Sequence, residues 1–426
     1  MMQRRQFVQT LGAGSAAAGL GLLGGCAAGG SGAKVVVVGG GYGGATAAKY
    51  VRLFSDHGID VTLVEPNAAF VSCPLSNLVL QGSKNIADLT TPYTNLQSRH
   101  GVKVVKDMVS TIDPDKRVVK LASGGELPYD RLILSPGIDF MWETLPGMNK
   151  AGAQDKVLHA WKAGPQTVAL RQQLEAMPDG GVYALSIPLA PYRCPPGPYE
   201  RACMVANYFK KAKPKSKVVI FDANDDIQSK KGLFMKAWKE HYDGMIEYRP
   251  KHRVTDVDAA TNTLKFEFND DFKATVANVV PSMRAGQLAV KSGLATANAR
   301  WCEVDFLTFE SKAAKNIHII GDSIQIAPGM PKSGHMANQH GKTCAAAVVN
   351  LLQGKLPPQL PIYANTCYSF VTDEDVVHVA SVHRYDAEKK TMLAVPGAGG
   401  VSVAASELEG RYAHAWARNI WADTLA

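Results

Sequence analysis

Between Lys34 and Glu65 the chain reads as strand, glycine turn, helix and second strand ending in an acid, a series that few folds can hold. Lys34 to Val38 is a short β-branched run, followed at once by Gly39-Gly40-Gly41-Tyr42-Gly43-Gly44. Gly39, Gly41 and Gly44 satisfy G-x-G-x-x-G: the first permits the tight turn, the second lets backbone approach a phosphate, and the third lets a helix lie close on the strand. Ala45 to Leu53 continues as a helix, and Asp60-Val61-Thr62-Leu63-Val64-Glu65 supplies a second strand whose acid falls 21 residues beyond Gly44. That spacing places Glu65 to bond a ribose hydroxyl, so the unit predicts a dinucleotide site.

Two later stretches choose between dinucleotides. Tyr129-Asp130-Arg131-Leu132-Ile133-Leu134-Ser135-Pro136-Gly137 resembles the strand and turn that recross the first domain of two-dinucleotide flavoproteins. Asn316-Ile317-His318-Ile319-Ile320-Gly321-Asp322 resembles their distal FAD motif, in which the acid bonds the ribityl chain. Together with the first fingerprint they favour FAD over NAD.

A second β-loop-α-β unit follows. Gly181 to Ser186 reads as a buried strand, Tyr199 to Phe209 as a helix and Lys217 to Asp222 as the next strand. Where glycines would bind a pyrophosphate, the chain has Ile187-Pro188-Leu189-Ala190-Pro191-Tyr192-Arg193-Cys194-Pro195-Pro196-Gly197-Pro198. Prolines offer no N–H and hold the backbone away from a ligand, so this loop argues against a nicotinamide dinucleotide and presents a thiol instead.

The 426 residues are enough for two or three domains, and 46% hydrophobic content is ordinary for a globular protein. Arg4-Arg5, Phe7 and an Ala/Gly-rich apolar stretch from Leu11 to Gly25 read as a twin-arginine export signal. Leu23-Gly24-Gly25-Cys26 also fits a lipoprotein cleavage box that would anchor the chain through Cys26. Loss of Arg4 and Arg5 takes the formal charge from +8 to +6, a mild excess that gives no reason to expect a nucleic-acid partner. The run Lys210, Lys211, Lys213, Lys215 and Lys217 reads as a solvated helix end and loop. No C-x-x-C pair or Cys/His cluster has zinc spacing, and no C-x-x-C-H haem site is present.

Cysteines matter more in an oxidising compartment. Cys203, Cys302 and Cys344 sit among apolar neighbours and read as core packing. Cys73 falls eight residues after Glu65 on a segment expected to pass the flavin ring, where a lone thiol is redox-active, inert or covalently attached to flavin. Cys194 and Cys367 lie 173 residues apart. The residues alone allow a structural disulfide or a redox disulfide opened by a sulfur nucleophile.

The chain resembles the flavoprotein subunit of flavocytochrome c sulfide dehydrogenase almost end to end. The likeness is carried by KVVVVGGGYGGATAAKY (Lys34–Tyr50), IDPDKRVV (Ile112–Val119), HAWKAG (His159–Gly164), RCPPGPYERA (Arg193–Ala202), PKSG (Pro331–Gly334) and NTCYS (Asn365–Ser369). Flavoproteins of thiosulfate-oxidising systems share the pattern. The resemblance implies an α/β, two-dinucleotide-binding-domain flavoprotein of glutathione-reductase-like fold, with a degenerate second nucleotide domain and an α+β C-terminal domain. On that plan residues 1–32 are the export segment, 33–150 and 285–355 a discontinuous FAD-binding domain, 151–284 a degenerate NAD-type domain and 356–426 a C-terminal interface and redox domain.

The resemblance further implies that Cys73 carries FAD through a thioether, that Cys194 and Cys367 form the redox disulfide, and that Glu200 handles protons. Lys332 is expected to face the flavin pyrimidine, where positive charge would stabilise the reduced anion. Pro74 stands where the family pattern has an aromatic or polar residue. Implied with these are HS⁻ as substrate, a periplasmic location and a partner c-type cytochrome, since a haem accepts electrons singly. A sulfide:quinone oxidoreductase shares the chemistry. Its membrane docking is less favoured, because the tail from Glu407 to Ala426 is not strongly apolar on one face. An NAD(P)H-dependent reductase is disfavoured by the proline loop, and an accessory flavoprotein that keeps a partner's thiols active is the reading from another class.

Overall fold

Five strands share the sheet that the first fingerprint begins. In the computed structural model, which describes residues 32–426, their order is Ile317–Ile319, Arg131–Leu134, Lys34–Val38, Asp60–Val64 and Lys103–Val105. All pairs are parallel, with Lys34 opposite Asp60 and Val38 opposite Val64. Parallel strands covered on both faces must be apolar throughout, and Val35, Val36, Val37, Leu63, Leu132 and Ile133 are all buried. The order in which strands are added reverses at Lys34–Val38, with Asp60–Val64 on one side and Arg131–Leu134 on the other, and the crevice outside the carboxyl ends at such a point is where such sheets bind ligands.

The second sheet is built the same way, in the order Ile246–Arg249, Lys217–Asp222, Val182–Ile187 and Val276–Val279, again all parallel. Strands predicted over 181–186 and 217–222 are found at Val182–Ile187 and Lys217–Asp222. The helix expected from Tyr199 starts earlier, at Gly197, because Pro196 and Pro198 are already preset for a first helical turn. Beyond these, Ile362–Phe370, Val376–Asp386 and Thr391–Ala394 form an antiparallel sheet, and the chain closes with the helix Glu407–Leu425.

Ala33–Ala426 forms one compact unit. The first helix, Tyr42–Phe54, packs along the helix Gly334–Leu352. The C-terminal helix clasps both. Its Asp423 carboxylate accepts from the Tyr50 hydroxyl (2.6 Å) and the Asn338 amide (2.7 Å), and pairs with the Lys342 ammonium (2.7 Å). Cys203, Cys302 and Cys344 are buried thiols, as their apolar neighbours predicted. Among the described residues no helix is long and apolar enough to cross a membrane. Arg4, Arg5 and Cys26 lie outside the described residues.

Candidate functional site: a flavin cavity with three thiols

A cavity of about 900 Å³ opens at the crevice of the first sheet and runs towards the second sheet and the C-terminal strand Ile362–Phe370. Its dinucleotide end is shaped by three glycines with separate duties. Gly39 has φ +96°, and a Cβ there would lie 2.3 Å from the Ser135 carbonyl oxygen. A Cβ on Gly44 would lie 1.8 Å from the Gly39 carbonyl, so the helix could not rest on the strand. Gly41 has nothing within 4 Å of where a Cβ would be, because it faces the cavity, and that open space is where a pyrophosphate would sit. Glu65 lines the cavity, accepting from the Gly40 N–H (2.6 Å) and the Asn67 side-chain amide (2.6 Å). A carboxylate has further lone pairs for a ribose. Asp322 and Gly321 also line the cavity. Burial raises the Asp322 carboxyl, while Arg193 and Lys332 pull it back down. The volume, the open space at Gly41 and the two acids fit FAD.

Cys73, Cys194 and Cys367 all border this cavity, as does Glu200. Cys73 follows the short strand Ala69–Val71, and its sulfur accepts from the Ala163 N–H at 3.5 Å. The proline loop carries Cys194 at φ +61°, a left-handed conformation that costs a non-glycine residue about 1–2 kcal/mol. Three tethers hold it there: the Cys194 N–H donates to the Lys332 carbonyl (2.9 Å), the Trp161 indole N–H to the Arg193 carbonyl (3.2 Å), and the Arg300 guanidinium to the Pro191 carbonyl (3.2 Å). Cys367 arrives on the C-terminal strand. The next turn of contacts fixes that strand to the N-terminus of the long helix: Ser333, which caps that helix, donates to Asn365 (2.6 Å), and the Thr366 N–H donates to His335 (3.0 Å).

Cys194 and Cys367 are thiols in this structure. Withdrawal from water pushes the Cys194 thiol well up, and the neighbouring Cys367 and Glu200 push it further. Burial also raises Cys367, but the Asn365 amide and the Lys230 ammonium draw it back. Glu200 is 9% exposed and is not a surface residue paired to a neighbouring cation. One of its oxygens accepts from the Phe370 N–H (2.9 Å) and the other from the Asn77 amide (2.8 Å), bridging the C-terminal strand to the segment after Cys73. Burial raises its carboxyl, so it holds a proton at higher pH than an ordinary glutamate.

Lys332 departs from the sequence expectation. Its ammonium does not border the cavity but donates to the Asp322 (2.8 Å) and Ile324 (2.6 Å) carbonyls over the Trp301 ring. Three acceptors in the protein outcompete a cavity wall, and burial lowers its pKa to about 7. Among the cations that border the cavity is Arg193, next to Cys194 in sequence. Burial disfavours its charge, but Cys73, Asp322 and Cys194 more than offset this and hold it ionised. Its place inside the proline motif was the available signal. Arg201 was also missed: it is buried, bonded to Asn77, His159, Ala160 and Asn278, and set over the Trp161 ring. It braces the walls that carry Cys73 and Glu200.

Three family models match this chain. Residues 167–281 match the central domain of the sulfide dehydrogenase [flavocytochrome c] flavoprotein chain, 359–425 match the flavocytochrome c sulphide dehydrogenase flavin-binding domain, and 33–176 match pyridine nucleotide-disulphide oxidoreductase. The flavoprotein chain of sulfide dehydrogenase from Chlorobaculum thiosulfatiphilum is 65% identical over 37 residues, which are 9% of this chain and 75% of that sequence. The chain belongs to the flavocytochrome c sulfide dehydrogenase flavoprotein family. As in that family, its cofactor is FAD. Mitochondrial sulfide:quinone oxidoreductase of Mus musculus is 27% identical over 302 residues, covering 66% of this chain and 63% of that one. This chain thus spans a little under two thirds of the mouse relative. The solved sulfide:quinone oxidoreductase of Aquifex aeolicus superposes with a TM-score of 0.74 at 19% identity, over 92% of this chain and 91% of that one. That likeness shows a shared two-domain flavoprotein fold.

Proposed function

We propose that this chain is the flavin-bearing subunit of a sulfide dehydrogenase, exported by a twin-arginine signal, that oxidises HS⁻ to sulfane sulfur and delivers electrons to a partner c-type cytochrome. The observation that carries the reading is that Cys194 and Cys367, far apart in sequence, border one cavity with Cys73 and Glu200. In the resting enzyme Cys194 and Cys367 are joined as a disulfide. HS⁻ attacks one of its sulfurs: the S–S bond breaks, a new S–S bond forms, and the products are a persulfide and a thiolate. Glu200, whose carboxyl burial raises, accepts the persulfide proton. When the disulfide closes again and sulfane sulfur leaves, two electrons are released. Bound FAD supplies the capacity to take an electron pair and return it singly, which a haem partner requires. Gly41, Glu65 and Asp322 would hold the dinucleotide, and Cys73 would bond its ring.

Nicotinamide is an unsuitable donor for a physical reason. Asp222 ends the second sheet's strand where a ribose would be bound, but it is fully buried and already accepts from the Tyr199 (2.7 Å) and Tyr248 (3.0 Å) hydroxyls and the Asn224 amide (2.7 Å). The similarity to sulfide:quinone oxidoreductases supports a second reading with the same sulfur chemistry and a quinone acceptor. Anaerobic mixing with sulfide should bleach the flavin, and mixing with NADH should not. Bleaching by NADH alone overturns the proposal, and re-oxidation by a quinone but not by cytochrome c selects the second reading. After acid precipitation the yellow colour should stay with the protein; flavin left in the supernatant excludes the Cys73 bond.

A further inference from the structure

Lys230 breaks three local rules at once. It opens the helix Lys231–His241 from the cap position, where Ser, Thr, Asp or Asn would accept an N–H, and its side chain makes no such bond. It adopts φ +55°, a conformation that disfavours residues with a Cβ. Its ammonium is also buried and lies at the positive end of a helix, where a cation is disfavoured. Such costs persist where the surrounding structure fixes the residue for another purpose.

The side chain reaches across to the C-terminal strand. Its Nζ donates to the Cys367 carbonyl (3.0 Å) and the Ser369 hydroxyl (2.7 Å), with the Val377 carbonyl at 3.4 Å. Among the described residues no carboxylate lies within ion-pair distance of it. The groups whose charge it feels are, in order, Cys367, Glu200, Cys194 and Glu409. Of these, Glu409 is already paired with His378 at 2.9 Å, and both Glu200 oxygens are engaged by the Phe370 N–H and the Asn77 amide. Cys367 stands first among the four, and its own carbonyl holds the ammonium.

We propose that Lys230 is a positioning residue of the sulfur centre: seated on the Cys367 carbonyl and Ser369, its ammonium ties the C-terminal strand to the helix Lys231–His241 of the second domain and supplies the positive charge that stabilises a thiolate at Cys367. This deepens the sulfide-oxidation reading and rests on it for its purpose, though not for its chemistry. A lysine whose pKa burial lowers to about 8 is still largely charged near neutral pH, and its influence fades above that value.

The test uses the flavin-loaded protein, reduced anaerobically with dithiothreitol and alkylated with iodoacetamide from about pH 6 to 10, since only thiolate reacts. Mass spectrometry of the Cys367 peptide reads the rate. K230Q keeps donors for the two oxygens and removes the charge; K230R keeps the charge. At a fixed pH below about 8, where the wild-type ammonium is charged, Cys367 in K230Q should be alkylated about tenfold more slowly. K230R should follow the wild type. A K230Q profile that overlays the wild type, or equal shifts in both variants, overturns the proposal. If K230Q does not fold, S369A, which loosens the ammonium without removing it, should shift the profile in the same direction; no shift overturns the proposal. Sulfide bleaching is measured in parallel. If sulfide fails to bleach the wild type while the K230Q shift is present, the sulfide reading fails and the role of Lys230 stands.

Discussion

At Glu200 both carboxylate oxygens are engaged before any substrate arrives, one by the Phe370 N–H and one by the Asn77 amide. A group held this way cannot swing, so its use in chemistry is to exchange a proton where it stands. E200Q keeps the shape but cannot take up a proton. It should retain flavin and lower the rate of sulfide-driven flavin bleaching by about 10²–10⁴-fold in stopped-flow measurement. An unchanged rate would reduce Glu200 to a brace between two walls. Cys194 makes a related point. Its left-handed φ is the kind of strain that a loop keeps only where the side chain is needed.

The glycine turn is where element-scale reasoning has the sharpest consequences, because two glycines three residues apart should fail differently. G44A drives a methyl into the Gly39 carbonyl. It should cost about 1–3 kcal/mol of stability in denaturant unfolding as the helix lifts from the strand, and lose flavin with it. Gly41 has φ −71° and open space around it, so G41A should unfold like the wild type yet retain less flavin. Equal stability losses in the two variants would mean that the cavity face of the turn has been misassigned. Much of this element was legible beforehand. The strand Lys34–Val38 has the bounds its β-branched run predicted, and Glu65 lies just beyond the next strand, Asp60–Val64, at the cavity. The helix begins at Tyr42, earlier than its clearest helix formers suggested, because backbone turns of this kind enter the helix directly from the glycines.

For the molecule as a whole, buried histidines tie stability to pH. His159 and His340 have pKa values lowered to about 3, and His318 to about 4, each mainly because burial disfavours the charged ring. Their folded pKa lies below the unfolded value of about 6.5, so the stability they lend is full above that pH and is lost as pH falls from there towards the folded values. Buried Glu200, Asp222 and Asp322 act in the opposite sense. Their raised pKa values favour the fold below the ordinary carboxylate range and less as pH rises. A single substitution separates the two. H340Q, in which an amide oxygen can replace the ring nitrogen that accepts from the Gly321 N–H, should reduce the fall of unfolding free energy below about pH 6.5 by up to about 1.4 kcal/mol per pH unit. Parallel curves for H340Q and wild type would show that this ring is not what acid attacks.

Elements whose chemistry is local were legible in the chain before it folded. A β-branched run followed by spaced glycines has one stable continuation, a proline run cannot present N–H groups to a phosphate, and cysteines among alanines and valines are core. The tertiary structure alone decided which side chains share a cavity. Cys194 and Cys367 border one cavity because the C-terminal strand is tied to the long helix through Ser333 and His335 and to the second domain through Glu200 and Lys230. The orientation of a long flexible side chain was equally beyond the sequence. Lys332 turns to the Asp322 and Ile324 carbonyls and the Trp301 ring, and the neighbouring demands on an ammonium are set by packing, not by position in the chain. Lys230 carried no pattern at all, because its partners lie 137 to 147 residues away and only folding brings them within reach.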